Sequence, residues 1–166
     1  MRILITGGFG FIGGRLALYL NDVGHEITLA SRSASPPPKW LKHAKVAVSA
    51  WNSDQSLEEL CYQIDVVIHA AGMNSQDSAS DPLAALEFNG LVTSRLVSAA
   101  IGSGVKRFIY LSTAHVYSSP LAGYITENIL PINGHPYATS NLVGEDYVLS
   151  ANKSSKIEGI VTRLSN

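Results

Sequence analysis

The sequence predicts an α/β fold, a doubly wound parallel sheet with helices on both faces. Three observations carry this. Strand-like and helix-like segments alternate along all 166 residues. The strand-like segments are rich in Val and Ile, and most are apolar without interruption, as parallel strands covered on both faces read. A glycine cluster, Gly7-Gly8-Phe9-Gly10-Phe11-Ile12-Gly13, joins the first strand to the first helix. Alternating βαβ units imply right-handed crossovers and one layered domain.

Each element has its own justification. Strands are expected at 2–6, 26–30, 45–49, 65–70, 107–112 and 159–163, where the β-branched and apolar runs lie. Helices are expected at 11–22, 57–63, 83–102 and 137–152. In the first, Ile12, Leu16 and Leu20 recur at helical spacing, and Gly24-His25 ends it. Asp81-Pro82 reads as an N-cap followed by proline at the first helical position, and Gly104 as the end of the same helix. Ser35-Pro36-Pro37-Pro38 is a stiff loop. Asp54 is a candidate cap for the helix that follows it.

Composition narrows the function. With 46% hydrophobic and 15% charged residues the chain has enough apolar content for a solid core. A net charge of −1 gives no argument for nucleic acid or an anionic membrane. No apolar run approaches the roughly 20 residues of a spanning helix. A strand that begins at residue 2 argues against a signal peptide. The lone Cys61, beside Leu57 and Leu60, reads as a packed helix residue and fits a reducing cytoplasm. His25, His43, His115 and His135 have no partners at metal-ligand spacing, so no metal is expected.

The glycine turn is the chemical signal. A buried strand enters a tight turn, and a helix begins inside it. Backbone N–H groups and the positive end of a helix dipole then face a phosphate. The spacings Gly8-x-Gly10-x-x-Gly13 and Gly7/Gly10/Gly13 both fit a dinucleotide fingerprint, which makes this a Rossmann sheet. Ligands in such sheets sit at the carboxyl ends of the strands. There the sequence places Ala70, Ala71 and Gly72, then Ser112 and Thr113, then Arg163 to Asn166.

Further motifs follow in order: Asp65-Val66-Val67-Ile68-His69-Ala70-Ala71, Asn89-Gly90, Tyr110-Leu111-Ser112-Thr113-Ala114-His115-Val116-Tyr117, Thr126-Glu127 with Pro131, Tyr137-Ala138-Thr139-Ser140, and Arg163 with Asn166. With the glycine turn, they resemble the extended short-chain dehydrogenase/reductases, the nucleotide-sugar epimerases and dehydratases, over the full chain. The resemblance implies a nicotinamide dinucleotide and a nucleotide-sugar substrate. It implies that Tyr137 moves a proton to or from a sugar hydroxyl, for which a phenol is suited because it both donates and accepts. Thr113, with Ser112 as the alternative, would hydrogen-bond the reacting oxygen. Gly7 to Gly13, including Phe9, Phe11 and Ile12, would hold the cofactor with Ala70, Ala71 and Gly72. Asn89 would support the geometry of the site, Asn166 would contact substrate, and His69 would pack or hydrogen-bond. The helices at 83–102 and 137–152 would pair with their copies in a homodimer. Leu86, Val97, Val143 and Leu149 are its candidate contacts, or else sheet-facing core.

Three departures stand out. The family's lysine four residues after the tyrosine is Asn141 here. Asparagine could bond the nicotinamide ribose but brings no charge, and an unassisted phenol is only about 10⁻³ ionised at neutral pH. The chain would then be a slow enzyme, one using tyrosine as a neutral donor, or a cofactor-binding regulatory or scaffold protein. Second, the acid expected after the second strand is replaced by Ser31-Arg32-Ser33. A guanidinium in place of a carboxylate favours a 2′-phosphate, hence NADP over NAD. Trp51 stands where an acid beside the adenine is usual. Third, family members continue into a C-terminal substrate domain, which these 166 residues are expected to lack.

Overall fold

The computed structural model describes residues 1–165. Six strands form one parallel sheet: β1 (Arg2–Thr6), β2 (Glu26–Ser31), β3 (Lys45–Val48), β4 (Val66–His69), β5 (Arg107–Thr113) and β6 (Glu158–Leu164). Their order is β3-β2-β1-β4-β5-β6. The chain winds outward from β1 to one edge, then restarts at β4 and winds to the other. The reversal leaves a crevice at the carboxyl ends of β1 and β4.

The central strands β1 and β4 read as unbroken apolar runs because both of their faces are covered. Leu4, Val67, Phe108 and Tyr110 point to one side, with Leu57, Leu96 and Val148 from the helices there. Ile3, Ile5, Ile27, Leu29, Val66 and Ile68 point to the other, with Ala17 and Leu41. The register Ile5↔Leu29 and Ile5↔Ile68 puts like-facing residues side by side.

The helices are α1 (Phe11–Asp22), α2 (Asp54–Cys61), α3 (Ser75–Ser80), α4 (Pro82–Ala85), α5 (Thr93–Gly102) and α6 (Pro136–Lys153). α2 starts earlier than the apolar pattern suggests. Ser53, not Asp54, is its cap, accepting from the Ser56 N–H at 3.2 Å, and Asp54 instead pairs with Arg95 at 2.7 Å. Asp81 caps α4, accepting from the Ala84 N–H at 3.0 Å. The helix expected over 83–102 is interrupted: Leu86–Val92 is a π-helical stretch between α4 and α5. Within it the Asn89 carbonyl accepts from the Thr93 hydroxyl at 2.8 Å. α6 packs closely on this stretch through Gly144, where a Cβ would lie 2.7 Å from the Asn89 carbonyl oxygen. Among the proposed dimer contacts, Val97 is core, and Val143 packs on Gly90 within the chain. Leu86 and Leu149 are on the surface. Among the described residues no helix is long and apolar enough to cross a membrane.

Candidate active site

The glycine turn sits in the crevice. Gly7 adopts φ +67°, and a Cβ on it would meet the Ala70 carbonyl and the Ala71 nitrogen at 2.7 Å. Only glycine lets the turn lie directly on the end of β4. The Gly10 N–H donates to the Gly7 carbonyl at 2.9 Å, which closes the turn. Gly10 is the N-cap of α1 and supplies no side-chain bond, and the first turn carries no acid. The leading N–H groups of α1 are therefore left for an anion. Phe9, Phe11 and Ile12 are exposed around it. These residues fit a dinucleotide pyrophosphate.

Ala71 and the residues after it are held by a chain of buried bonds. The Ala71 N–H donates to Thr6 Oγ1 at 3.2 Å, and Thr6 Oγ1 lies 2.6 Å from His69 Nδ1. His69 Nε2 lies 3.0 Å from Thr93 Oγ1, whose own proton goes to the Asn89 carbonyl. Because the Thr93 proton is committed to Asn89, Nε2–H donates to Thr93, and in the neutral ring Nδ1 accepts from Thr6. His69 is fully buried and stacked 5.5 Å from the Tyr110 ring, and burial lowers its pKa to about 4. It is a neutral structural residue. Asn89, 1% exposed, completes the clamp. Its Oδ1 accepts from the Met73 N–H at 2.8 Å, and its Nδ2 donates to Ser140 Oγ at 3.0 Å. An asparagine in mid-helix is thus explained: it ties the loop after β4 to α6.

Ser112 and Thr113 end β5 side by side and diverge. The Ser112 hydroxyl donates to Glu145 Oε1 at 2.5 Å, on the α6 side. Glu145, 1% exposed, also takes the Arg163 guanidinium, whose Nε is 3.0 Å from Oε1; Arg163 Nη1 donates to the Tyr117 oxygen at 2.6 Å. Hydrogen bonding to Glu145 holds the Arg163 pKa above its ordinary value. Thr113 Oγ1 instead accepts from the His115 N–H at 3.1 Å, and its O–H is left to donate. Glu145 escaped the sequence reading, although it lies one helical turn beyond Asn141 and two beyond Tyr137.

Tyr137 enters at the start of α6. Its N–H donates to His135 Nδ1 at 3.1 Å. Asn141, at the lysine position, is buried and turned into the protein: Nδ2 donates to the Tyr137 carbonyl at 2.7 Å, and Oδ1 accepts from the Tyr110 hydroxyl at 2.9 Å. Burial, with the Glu145 charge second, pushes the Tyr110 phenol above its ordinary range.

Two cavities share Tyr137 and Thr113 as a wall. One, about 220 Å³, reaches back to Ile12, Ala70, Ala71 and Asn141. The other, about 390 Å³, is lined by His115, His135, Asn133 and Ser75. A third, about 580 Å³, lies at the ends of β2 and β3 and is lined by Arg32, Trp51, Asp77, Glu87 and Phe88. Trp51 meets Phe88 edge to face at 5.6 Å. Ser31 Oγ donates to the Ser33 carbonyl at 2.8 Å, forming a small turn. Arg32 is exposed on that turn and has no ion-pair partner among the described residues. Asn166 lies outside the described residues. No group of three or more metal-ligating side chains occurs among the described residues.

A parallel sheet that reverses at β1 and β4, with a glycine turn at the reversal and Tyr137 and Thr113 lining a cavity beside it, is a doubly wound nucleotide-binding fold. The chain belongs to the NAD dependent epimerase/dehydratase family, whose model matches residues 3–166. It is 27% identical to a UDP-glucose 4-epimerase of Azospirillum brasilense over 172 aligned positions, covering 99% of this chain and 49% of that protein. It is 29% identical to a dTDP-D-glucose 4,6-dehydratase of Mus musculus, covering 99% and 50%. Among solved structures, the UDP-glucose 4-epimerase of Thermus thermophilus in complex with NAD superposes with a TM-score of 0.85 at 26% identity, covering 98% of this chain and 54% of that one. The chain thus spans about half the length of these relatives.

Proposed function

We propose that this chain is the cofactor-binding part of an NAD(P)-dependent epimerase or dehydratase acting on a nucleotide-sugar. The observation that supports it most is the shared wall: Thr113 and Tyr137 face both the cavity leading to the glycine cradle and the polar cavity beside His115. A sugar in the second would meet a dinucleotide in the first across those two hydroxyls. The cradle amides and α1 would hold the pyrophosphate, with Ala70, Ala71 and Gly72 against the nicotinamide. Bound nicotinamide would supply hydride transfer. Thr113 would donate to the reacting oxygen, and Tyr137 would give or take its proton. Ser112 is left out of this pair because its proton is committed to Glu145. The exposed Arg32 would meet a 2′-phosphate, so NADP is the preferred form.

The test supplies the protein with NADP or NAD and with UDP-glucose or dTDP-D-glucose, the sugars of its relatives' names, and resolves the sugars by NMR. Turnover lost in Tyr137→Phe is the expected result. Cofactor binding without any turnover would favour a second reading, a regulatory or scaffold protein. Asn141 motivates that reading, because its amide is engaged with Tyr137 and Tyr110 and brings no charge. Asn141→Lys separates the two: a large gain in hydride transfer marks a weakened enzyme, and no gain marks a binding protein. A homodimer through the surfaces around Leu86 and Leu149 is part of the proposal, and light scattering tests it.

A further inference from the structure

The residue that caps α6 is a histidine. Ser, Thr, Asp and Asn usually fill this place because their oxygens accept from the first N–H groups in any protonation state near neutrality. His135 does the same job with the Nδ1 lone pair, accepting from the Tyr137 N–H at 3.1 Å. Its carbonyl accepts the first bond of the helix, from the Thr139 N–H at 3.0 Å. Asn133 fixes the ring's backbone, since its Oδ1 accepts from the His135 N–H at 3.0 Å. The Asn133 Nδ2 donates to the His115 carbonyl at 2.7 Å, so the same asparagine fastens the stretch that carries Thr113.

We propose that His135 is the positioning residue of Tyr137, and that Tyr137 is fully seated only while that imidazole is neutral. This rests on the reading of Tyr137 as the proton-transfer residue. An imidazolium has a proton on both nitrogens and cannot accept. Protonation therefore removes the cap and leaves the Tyr137 N–H facing another donor. It also places a positive charge at the positive end of a helix dipole. The first turn of α6 has no acid, and the titratable groups lining the cavity with His135 are His115 and Tyr137; Asp77, on the neighbouring α3, is engaged by the Asn74 amide, whose Nδ2 donates to it at 2.8 Å. On acidification the start of α6 loosens, and Tyr137 loses its anchor in the cavity wall it shares with Thr113.

The test is an NMR titration of the isotopically labelled chain from about pH 7.5 to about pH 5.5, the range in which imidazoles take up protons. The Tyr137 amide is expected to shift, and its exchange protection, corrected for intrinsic rates, to fall about fivefold, as for loss of a cap. The Tyr137 ring signals should move with it. In His135→Asn, whose side-chain oxygen accepts at every pH in the range, both responses vanish. In His115→Gln they persist. An equal Tyr137 response in wild type and His135→Asn, or none in wild type, overturns the coupling. NADP affinity at about pH 7.5 is measured alongside. Absent binding with an intact cap response overturns the enzymatic reading and not the coupling; intact binding with a flat response overturns the coupling alone.

Discussion

Acid should weaken this fold through one buried ring. His69 is fully buried between Thr6 and Thr93, and the neutral ring satisfies both of its nitrogens there, so the charged form meets only the cost of burial. Burial takes its pKa from 6.5 down to about 4. A native state that resists protonation more than the unfolded chain gains stability as pH rises. The contribution is complete above the unfolded value and is lost as pH falls from about 6.5 towards about 4. Each tenfold change in proton affinity is worth about 1.4 kcal/mol, so the loss attributable to His69 is about 3 kcal/mol. That is a large fraction of a typical domain's 5–15 kcal/mol. The assay is urea denaturation of wild type and His69→Gln at about pH 7.5 and about pH 4.5. The variant is less stable at neutral pH but loses about 2–3 kcal/mol less than wild type between the two conditions. Other carboxylates and histidines contribute equally to both proteins and cancel. Equal pH losses in the two would refute the assignment of His69 as a sealed neutral link.

Asn89→Ala strips the partners from the Met73 N–H and Ser140 in a buried place. It should cost about 2–4 kcal/mol in denaturant titration and weaken cofactor binding through the loop after β4. Glu145→Ala leaves the Arg163 guanidinium and the Ser112 hydroxyl without their acceptor. The expected loss is about 3 kcal/mol, and calorimetric unfolding would register it. Arg32→Ala should reduce NADP affinity about tenfold while leaving NAD nearly unchanged, by isothermal titration. A proportional drop for both cofactors would remove Arg32 from the 2′-phosphate.

The parts of the fold legible in the sequence were those governed by neighbouring residues. β1 and α1 fall at the expected Arg2–Thr6 and Phe11–Asp22, because an unbroken apolar run, a glycine turn and a 3.6-residue repeat are local signals. The apolar pattern places the start of α2 too late because the periodic leucines begin after the capping turn, and Ser53 and Ser56 carry no apolar mark. The π-helical stretch was invisible for a different reason. Its wider turn packs closely on α6 at Gly144, which arrives from elsewhere in the chain. The Glu145 cluster joins residues 18 and 33 positions apart, and no local pattern announces such a pairing. On the sequence, Asn141 is able to bond the nicotinamide ribose from the lysine position. Its engagement with the Tyr137 carbonyl and Tyr110 depended on how deeply α6 is buried.

Titrating NADP and NAD into the folded chain, while following the amide signals of Gly8 to Gly13, bears most directly on the whole account. Saturable binding that moves those amides, tighter for NADP, is the predicted result. Saturating amounts of both dinucleotides that leave every one of those signals in place would contradict it.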